Sequence, residues 1–141
     1  MDQTQRRTIL ITGANKGIGY VTVARFLSEP IPYDIILTSR DVKLGETAIA
    51  NLKSQHPKST STLNYHQLNV NDERSVENLV NWLKNSNKKI DVLINNAGIA
   101  YGNPTEEQTK LTIKTNCFSV VNLTEKLIPF LSDDAKVLQI S

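Results

Sequence analysis

Apolar residues recur along the chain in two alternating patterns. Short runs rich in β-branched residues predict buried strands over residues 8–12, 35–38, 65–70, 91–94 and 136–141. Between these runs, apolar residues recur at the three- and four-residue spacing of a helix face. The first three predicted helix faces are Tyr20, Val23, Ala24 and Leu27; Leu44, Ala48, Ile49 and Leu52; and Val76, Leu79, Val80 and Leu83. A fourth helix is predicted from about residue 109 to residue 131, with Pro129 near its end.

The predicted elements alternate strictly between strand and helix. Pro30 and Pro32 end the first helix, residues 55–62 form a polar loop, and Asn71 or Asp72 can cap the third helix. Continuous apolar strands are covered on both faces, and intervening helices impose parallel pairing through right-handed crossovers. The sequence therefore predicts an α/β fold with a doubly wound parallel sheet of the Rossmann type, truncated after its fifth strand.

Composition excludes several classes of protein. The 141 residues are enough for one small domain, and the net charge of +2 gives no footprint for nucleic acid. Hydrophobic residues make up 39% of the chain, which predicts no membrane span. Cys117 has no second cysteine to pair with, and the polar N-terminus lacks a secretory pattern, so we expect a cytoplasmic protein. His56 and His66 are far apart in sequence, and we expect no metal site.

A glycine-rich turn connects the first strand to the first helix. Gly13 allows a sharp exit from the strand, Gly17 permits close backbone approach to a phosphate, and Gly19 leaves room for the helix to pack. The helix N-terminus offers free N–H groups and partial positive charge to a diphosphate. The spacing Gly-x-x-x-Gly-x-Gly differs from the commonest dinucleotide motif. The alternative is a tight turn that binds nothing.

The end of the second strand bears on the choice of nicotinamide cofactor. An acidic residue usually holds the ribose 2′-hydroxyl of NAD at this point, but Ser39 stands there and Arg40 follows. Arg40 can pair with a 2′-phosphate, and Lys16 can add a second positive charge. We therefore expect NADP(H). Asp41 could instead neutralise Arg40 or contact the ribose, and Arg40 could be a solvated surface arginine.

Two motifs together resemble the short-chain dehydrogenase/reductase family. The glycine turn from Thr12 to Gly19 and the run Asn95-Asn96-Ala97-Gly98 after the fourth strand stand in family order and at family spacing. Asn15-Lys16 and residues 37–41 look most like the carbonyl reductase branch, which depends on NADPH. The resemblance covers essentially the whole chain and implies the N-terminal, cofactor-binding part of such an enzyme.

The resemblance implies a set of cofactor-binding residues. Asn69 stands where most members have an aspartate that contacts the adenine, and its amide oxygen can still accept from the adenine amino group. The turn at residues 96–98 lines the cofactor cleft and steadies the central strands. The full set is Gly13, Asn15, Lys16, Gly17, Ile18, Gly19, Arg40, Asn69, Val70, Asn96, Ala97 and Gly98.

Asn116 is the one catalytic residue that the resemblance assigns to this chain. In the family, the matching asparagine interrupts helix hydrogen bonding and holds a water in a proton relay. From the sequence alone, an exposed asparagine in a helix is the alternative.

Family chemistry also needs a tyrosine and a lysine four residues after it. The residues four positions after Tyr20, Tyr33, Tyr65 and Tyr101 are, in order, Ala24, Leu37, Asn69 and Thr105, so this pair is absent from the sequence. A cation near a tyrosine brings its pKa closer to the range useful for proton transfer. Ser141 aligns just before the family's serine, although a slip of one residue would make it that serine.

Two functions remain open at this point. In the first, the chain supplies the cofactor half of an NADPH-dependent oxidoreductase that reduces a small ketone or aldehyde, and by itself it is inactive. In the second, the chain is a complete product that binds a dinucleotide or a protein partner without catalysis. The sequence predicts neither the substrate's identity nor the oligomeric state.

Overall fold

Five strands form a single parallel sheet in a computed structural model, which describes residues 6–140. The strands are β1 (Arg7–Ile11), β2 (Tyr33–Ser39), β3 (Thr62–Gln67), β4 (Ile90–Asn95) and β5 (Leu131–Gln139). Their order is β3-β2-β1-β4-β5, and every neighbouring pair is parallel. The predicted doubly wound α/β fold is confirmed, and β5 is the edge strand on its side of the described sheet.

Helices cover both faces of the sheet. They are α1 (Gly17–Leu27), α2 (Val42–Gln55), α3 (Glu73–Asn85), α4 (Glu106–Ile113) and α5 (Ser119–Leu127), and α4 and α5 are joined by a π-helical turn (Lys114–Phe118). One core lies between the sheet and α1 and α2, and the other between the sheet and α3 and α5. Central side chains such as Ile9 and Leu10 are fully buried on opposite faces.

The predicted face of the second helix is wrong at one position. Leu44 is 55% exposed, and Gly45 takes its place among the buried residues of α2 with Ala48 and Leu52. A Cβ on Gly45 would lie 2.2 Å from the ring of Tyr65, so the helix packs here through a residue without a side chain. A pattern of apolar residues does not reveal contacts made by glycine.

The two edge strands and the long helix differ from their predicted bounds. β3 starts at Thr62 and ends at Gln67, so Asn69 and Val70 follow the strand and do not end it. β5 begins at Leu131, and the predicted strand end at Ser141 lies outside the described residues. Helical structure starts earlier, at Glu106, and α5 ends at Leu127 before a 3₁₀ turn (Ile128–Phe130) that contains Pro129.

The strand order places a crevice at one end of the sheet. The connection from β1 runs to β2 on one side, whereas β4 lies on the other side of β1. Helices that leave in opposite directions from neighbouring parallel strands open a gap at the carboxyl ends of those strands. The turns that follow β1, β2, β3 and β4 therefore converge around this gap.

Candidate functional site

The glycine turn has the backbone conformation that its residues predict. Gly13 and Gly17 have φ angles of +60° and +61°, a region that residues with a side chain rarely occupy. A Cβ on Gly13 would lie 2.8 Å from the Cα of Ala97, so the turn also needs glycine for close packing. A Cβ on Gly17 would meet no atom within 4 Å, so the backbone there borders open space.

Helix α1 begins without a side-chain cap. Lys16 occupies the N-cap position, where its ammonium group has no acceptor to offer the helix N–H groups, and the first turn holds no acidic residue. The starts of α2, α3 and α4 are capped by Asp41, Asp72 and Thr105. Within residues 6–140, the first N–H groups of α1 are therefore left for a ligand or solvent, with the positive end of the helix dipole behind them.

The turn after β4 is joined to the glycine turn by side-chain hydrogen bonds. The Asn96 Nδ2 donates to the carbonyl oxygens of Thr12 at 3.1 Å and Gly13 at 3.0 Å. The Thr12 hydroxyl accepts from the backbone N–H of Asn96 at 3.0 Å and of Ala97 at 2.9 Å. A Cβ on Gly19 would lie 2.6 Å from the Asn96 Nδ2, so the third glycine makes room for this amide. Asn96 is thus an architectural residue at the edge of the crevice.

A cavity of about 370 Å³ collects most of the residues predicted to bind the cofactor. Its walls include ten of them: Gly13, Asn15, Lys16, Gly17, Arg40, Asn69, Val70, Asn96, Ala97 and Gly98. Ile18 and Asn116 line an adjoining cavity of about 640 Å³ that shares the turn at residues 96–98. Gly19 is buried behind the turn and lines neither of these two cavities. The sequence prediction missed the six other residues that line the first cavity: Leu68, Asn71, Ile99, Tyr101, Leu111 and Thr115.

The carboxylate of Asp41 is engaged away from Arg40. It accepts from the backbone N–H of Leu44 at 2.9 Å and caps α2. Among the described residues, neither Arg40 nor Lys16 forms an ion pair, and both are exposed on the wall of the same cavity. The neutralisation of Arg40 by Asp41 that the sequence left open is therefore not found.

Asn69 has a local partner that the sequence did not predict. Its Oδ1 accepts from the backbone N–H of Asn71 at 3.0 Å, which closes a short turn after β3. An amide oxygen has two lone pairs, so one remains for a ligand. Asn71 in turn donates to the Thr115 hydroxyl at 2.8 Å and accepts from the Ser119 hydroxyl at 2.7 Å. Thr115 and Ser119 are both buried, and Thr115 also lines the cavity. No spacing in the sequence signals this connection, because it joins residues 44 and 48 positions apart.

Asn116 lies in the π-helical turn, where helix hydrogen bonding departs from the α pattern. Its side chain makes two hydrogen bonds to the backbone of Ile99: Oδ1 accepts at 2.9 Å and Nδ2 donates at 2.8 Å. Such turns occur often at functional sites. The contact fixes the segment after Gly98 against the helix, and the proton relay through Asn116 stays a prediction.

The site suits a nicotinamide dinucleotide in charge and shape. Free N–H groups and an unobstructed Gly17 offer a place for a diphosphate. Two exposed cations, Lys16 in the glycine turn and Arg40 after β2, line the same cavity. In the described part of the chain, no cluster of three or more histidine, cysteine, aspartate or glutamate residues could hold a metal ion. None of the described helices has the length and apolar character that crossing a membrane requires.

Comparisons with known proteins give similar sequences along almost the whole chain. Carbonyl reductase (NADPH) 3 of Mus musculus is 34% identical over 139 residues, which is 96% of this chain and 48% of that protein. Carbonyl reductase (NADPH) 1 of Sus scrofa is 37% identical over 139 residues, which is 96% of this chain and 46% of that protein. The chain thus spans about half the length of these relatives.

Solved structures that superpose on most of this chain are also reductases and dehydrogenases. A menthone neomenthol reductase from Mentha piperita superposes with a TM-score of 0.86 at 28% sequence identity. The superposition covers 98% of this chain and 61% of the reductase chain. A short-chain dehydrogenase/reductase from Brucella melitensis gives a TM-score of 0.78 at 25% identity, with 94% and 55% covered.

The sequence profile described as short chain dehydrogenase matches residues 7–141. This match includes both motifs that build the crevice, the glycine turn and the turn after β4. The chain belongs to the short-chain dehydrogenase family, as the resemblance of its two motifs predicted.

Proposed function

We propose that this chain is the cofactor-binding part of an NADPH-dependent oxidoreductase that reduces the carbonyl group of a small ketone or aldehyde. In this proposal residues 1–141 form an incomplete Rossmann domain whose catalytic and substrate-binding parts lie in further sequence. The observation that carries it is the uncapped start of α1, which borders the same cavity as Lys16 and Arg40. The relatives named as NADPH carbonyl reductases support the same cofactor.

The diphosphate would bind at the start of α1. Backbone N–H groups there have no side-chain cap, and the positive φ at Gly17 directs the chain around open space. Phosphate oxygens accept hydrogen bonds from such N–H groups and are stabilised by the helix dipole. Asn96 would keep this turn in place, because it fixes two carbonyl groups of the turn from behind.

The 2′-phosphate would lie between Arg40 and Lys16. Arg40 follows directly after β2, and its guanidinium can form two parallel hydrogen bonds to a phosphate. Asp41 does not compete, because its carboxylate caps α2. The adenine would lie near Asn69 and Val70, which line the same cavity.

The nicotinamide end would extend into the adjoining cavity lined by Ile18 and Asn116. The bound cofactor supplies a hydride for the carbonyl carbon of the substrate. Asn116 would contribute to the proton path, whereas the 141 residues contain no tyrosine followed four positions later by lysine. We therefore expect this chain alone to bind the cofactor without catalysing the reduction. A cytoplasmic location stays a prediction.

A second function is a module that binds a dinucleotide or a protein partner without catalysis. Val137 and Leu138 on β5, which are 47% and 45% exposed, favour it as an apolar surface for a protein partner. The two functions differ in whether a form of the protein that carries the tyrosine and lysine pair exists and reduces carbonyls.

A fluorescence titration tests the proposal. We expect the purified 141-residue chain to change the fluorescence of NADPH in a saturable way, with weaker binding of NADH. In the same samples, menadione and similar carbonyls should be reduced no faster than in buffer. Equal affinity for both coenzymes would contradict the assigned cofactor, and clear turnover would contradict the assigned division of the catalytic groups.

A further inference from the structure

The backbone of the Ser39-Arg40-Asp41 turn is held by side chains of the neighbouring strand β3. The Gln67 Nε2 donates to the carbonyl oxygen of Arg40 at 3.1 Å. The Tyr65 hydroxyl lies 3.3 Å from the carbonyl oxygens of both Ser39 and Asp41. All three carbonyl groups of the turn thus face donors from β3, although the Arg40 side chain itself is exposed.

The other end of the Gln67 amide connects to the turn at Asn69, which also lines the cavity. Its Oε1 accepts from the Ser75 hydroxyl at 2.8 Å, and the Ser75 oxygen accepts from the backbone N–H of Asn69 at 2.9 Å. Ser75 is only 4% exposed. A continuous line of hydrogen bonds therefore joins the backbone of Arg40 to the backbone of Asn69.

The directions of these hydrogen bonds require an amide at position 67 and a hydroxyl at position 75. Gln67 donates through its nitrogen and accepts through its oxygen, and Ser75 donates its single hydroxyl proton while it accepts from Asn69. A carboxylate at position 67 could not donate to Arg40. An alanine at position 75 would leave the half-buried Asn69 N–H and the half-buried Gln67 amide oxygen without these partners, which is costly.

We propose that Gln67 and Ser75 are positioning residues that hold the Arg40 turn and the Asn69 turn at a fixed separation, so that the 2′-phosphate and adenine subsites are set before the cofactor binds. This inference rests on the proposed binding of NADP(H). Ordering the two turns in advance lowers the entropy lost on binding. Neither residue needs to touch the cofactor, because each acts through the backbone it holds.

The substitution Gln67→Leu tests the bridge, since leucine fills similar space without hydrogen bonds. The ratio of NADPH to NADH affinity should fall about fivefold, the effect of one lost neutral hydrogen bond. Asn64→Leu is the matched control, because Asn64 lies on the same strand and bonds to Asp34 at the opposite end of the sheet. It should leave the ratio unchanged.

A double-mutant comparison separates positioning from general damage. In an Arg40→Ala background, Gln67→Leu should no longer change the ratio, because no guanidinium remains to be placed. Ser75→Ala should weaken both coenzymes, and Ser75→Thr, which keeps the hydroxyl, should restore most of the affinity. These serine variants also provide the test if Gln67→Leu fails to fold, which thermal unfolding would reveal.

The outcomes distinguish the bridge from the proposed function. If the unsubstituted chain binds neither coenzyme, the proposed function fails and the bridge fails with it. If that chain binds NADPH but Gln67→Leu leaves the ratio unchanged, the bridge alone is wrong. An equal fall in the ratio with and without Arg40 would also overturn it, because Gln67 would then act elsewhere.

Discussion

The two ends of the parallel sheet handle their polar groups in opposite ways. At the amino end, the Asp34 carboxylate accepts from Lys88 at 2.5 Å, from Thr62 at 2.6 Å and from Asn64 at 3.2 Å. Asp91 close by accepts from the backbone N–H of Thr8 at 2.7 Å. The carboxylates of Asp34 and Asp91 therefore have hydrogen-bond donors within the fold, and Lys88 pairs with Asp34.

At the carboxyl end, by contrast, the backbone is tightly fixed while the charged groups are left open. The side chains of Thr12 and Asn96 form hydrogen bonds with the backbone of the neighbouring turn. Lys16 and Arg40 form no ion pair within the described chain, and the first N–H groups of α1 have no cap. The amino end therefore stabilises the fold, and we propose that the carboxyl end binds an anion.

The largest effect is expected from blocking the open space at the start of α1. Gly17→Val has room to fold, because no atom lies within 4 Å of the new Cβ, although positive φ costs about 1–2 kcal/mol for an ordinary residue and more for a β-branched one. NADPH affinity should fall more than about a hundredfold, since at least two hydrogen bonds to the charged diphosphate are lost. Calorimetry measures this affinity.

Gly102→Val is the matched control for Gly17→Val. Gly102 also has nothing within 4 Å of a Cβ, and it lines neither cavity of the site. The Gly102→Val variant should bind NADPH with the same affinity as the unsubstituted chain. If Gly17→Val binds NADPH with unchanged affinity, the start of α1 is not part of the binding site.

Removing both open cations should give the next largest effect. Arg40→Ala with Lys16→Ala should weaken NADPH about thirtyfold, from charged hydrogen bonds to the 2′-phosphate, and NADH much less. Lys53→Ala with Lys58→Ala removes the same charge away from the cavity and should change neither affinity. Equal losses for both coenzymes would refute the 2′-phosphate assignment.

At the amino end, Asp34→Asn should change stability and leave coenzyme affinity alone. Burial raises the pKa of Asp34, but hydrogen bonds from Lys88, Thr62 and Asn64 outweigh it, so the pKa is lowered from 3.8. The carboxylate therefore stabilises the fold above pH 3.8, and this contribution is lost as the pH falls through the lowered value.

Urea unfolding at several pH values measures the effect of Asp34→Asn. The substitution should cost about 2 kcal/mol at pH 7, the contribution of a charged hydrogen bond in a partly buried site. The difference from the unsubstituted chain should shrink at acid pH. A difference that stays constant down to pH 2 would show that the charge of Asp34 does not carry the effect.

The smallest effect is expected at a helix start that already has its cap. Asp72 accepts from the backbone N–H of Arg74 at 3.0 Å. Asp72→Ala should lower the free energy of unfolding by about 1 kcal/mol without changing coenzyme affinity. A loss of coenzyme affinity from this substitution would contradict the claim that only the uncapped start of α1 binds the coenzyme.

Local motifs predicted the fold and the two turns that border the cavity, because each is encoded in a short stretch. Gly13, Gly17 and Gly19 act within one turn, and the run at residues 95–98 follows one strand. The buried central strands were also correctly predicted, since their apolar runs are continuous.

The remaining features depend on contacts between distant residues. β3 was shifted in the prediction because its sequence is largely polar and only Leu63 among its residues is buried. Gln67 meets Arg40, and Asn71 meets Thr115, only after strand register and helix packing bring them together. No periodicity within either segment records these pairs.

Titration calorimetry of the unsubstituted chain with NADPH and with NADH tests the anion-binding role of the carboxyl end most directly. Saturable heat with NADPH, and weaker binding of NADH, is the expected result. Well-folded protein that gives no heat with either coenzyme would contradict a diphosphate site at the start of α1, and with it the assignment to redox chemistry.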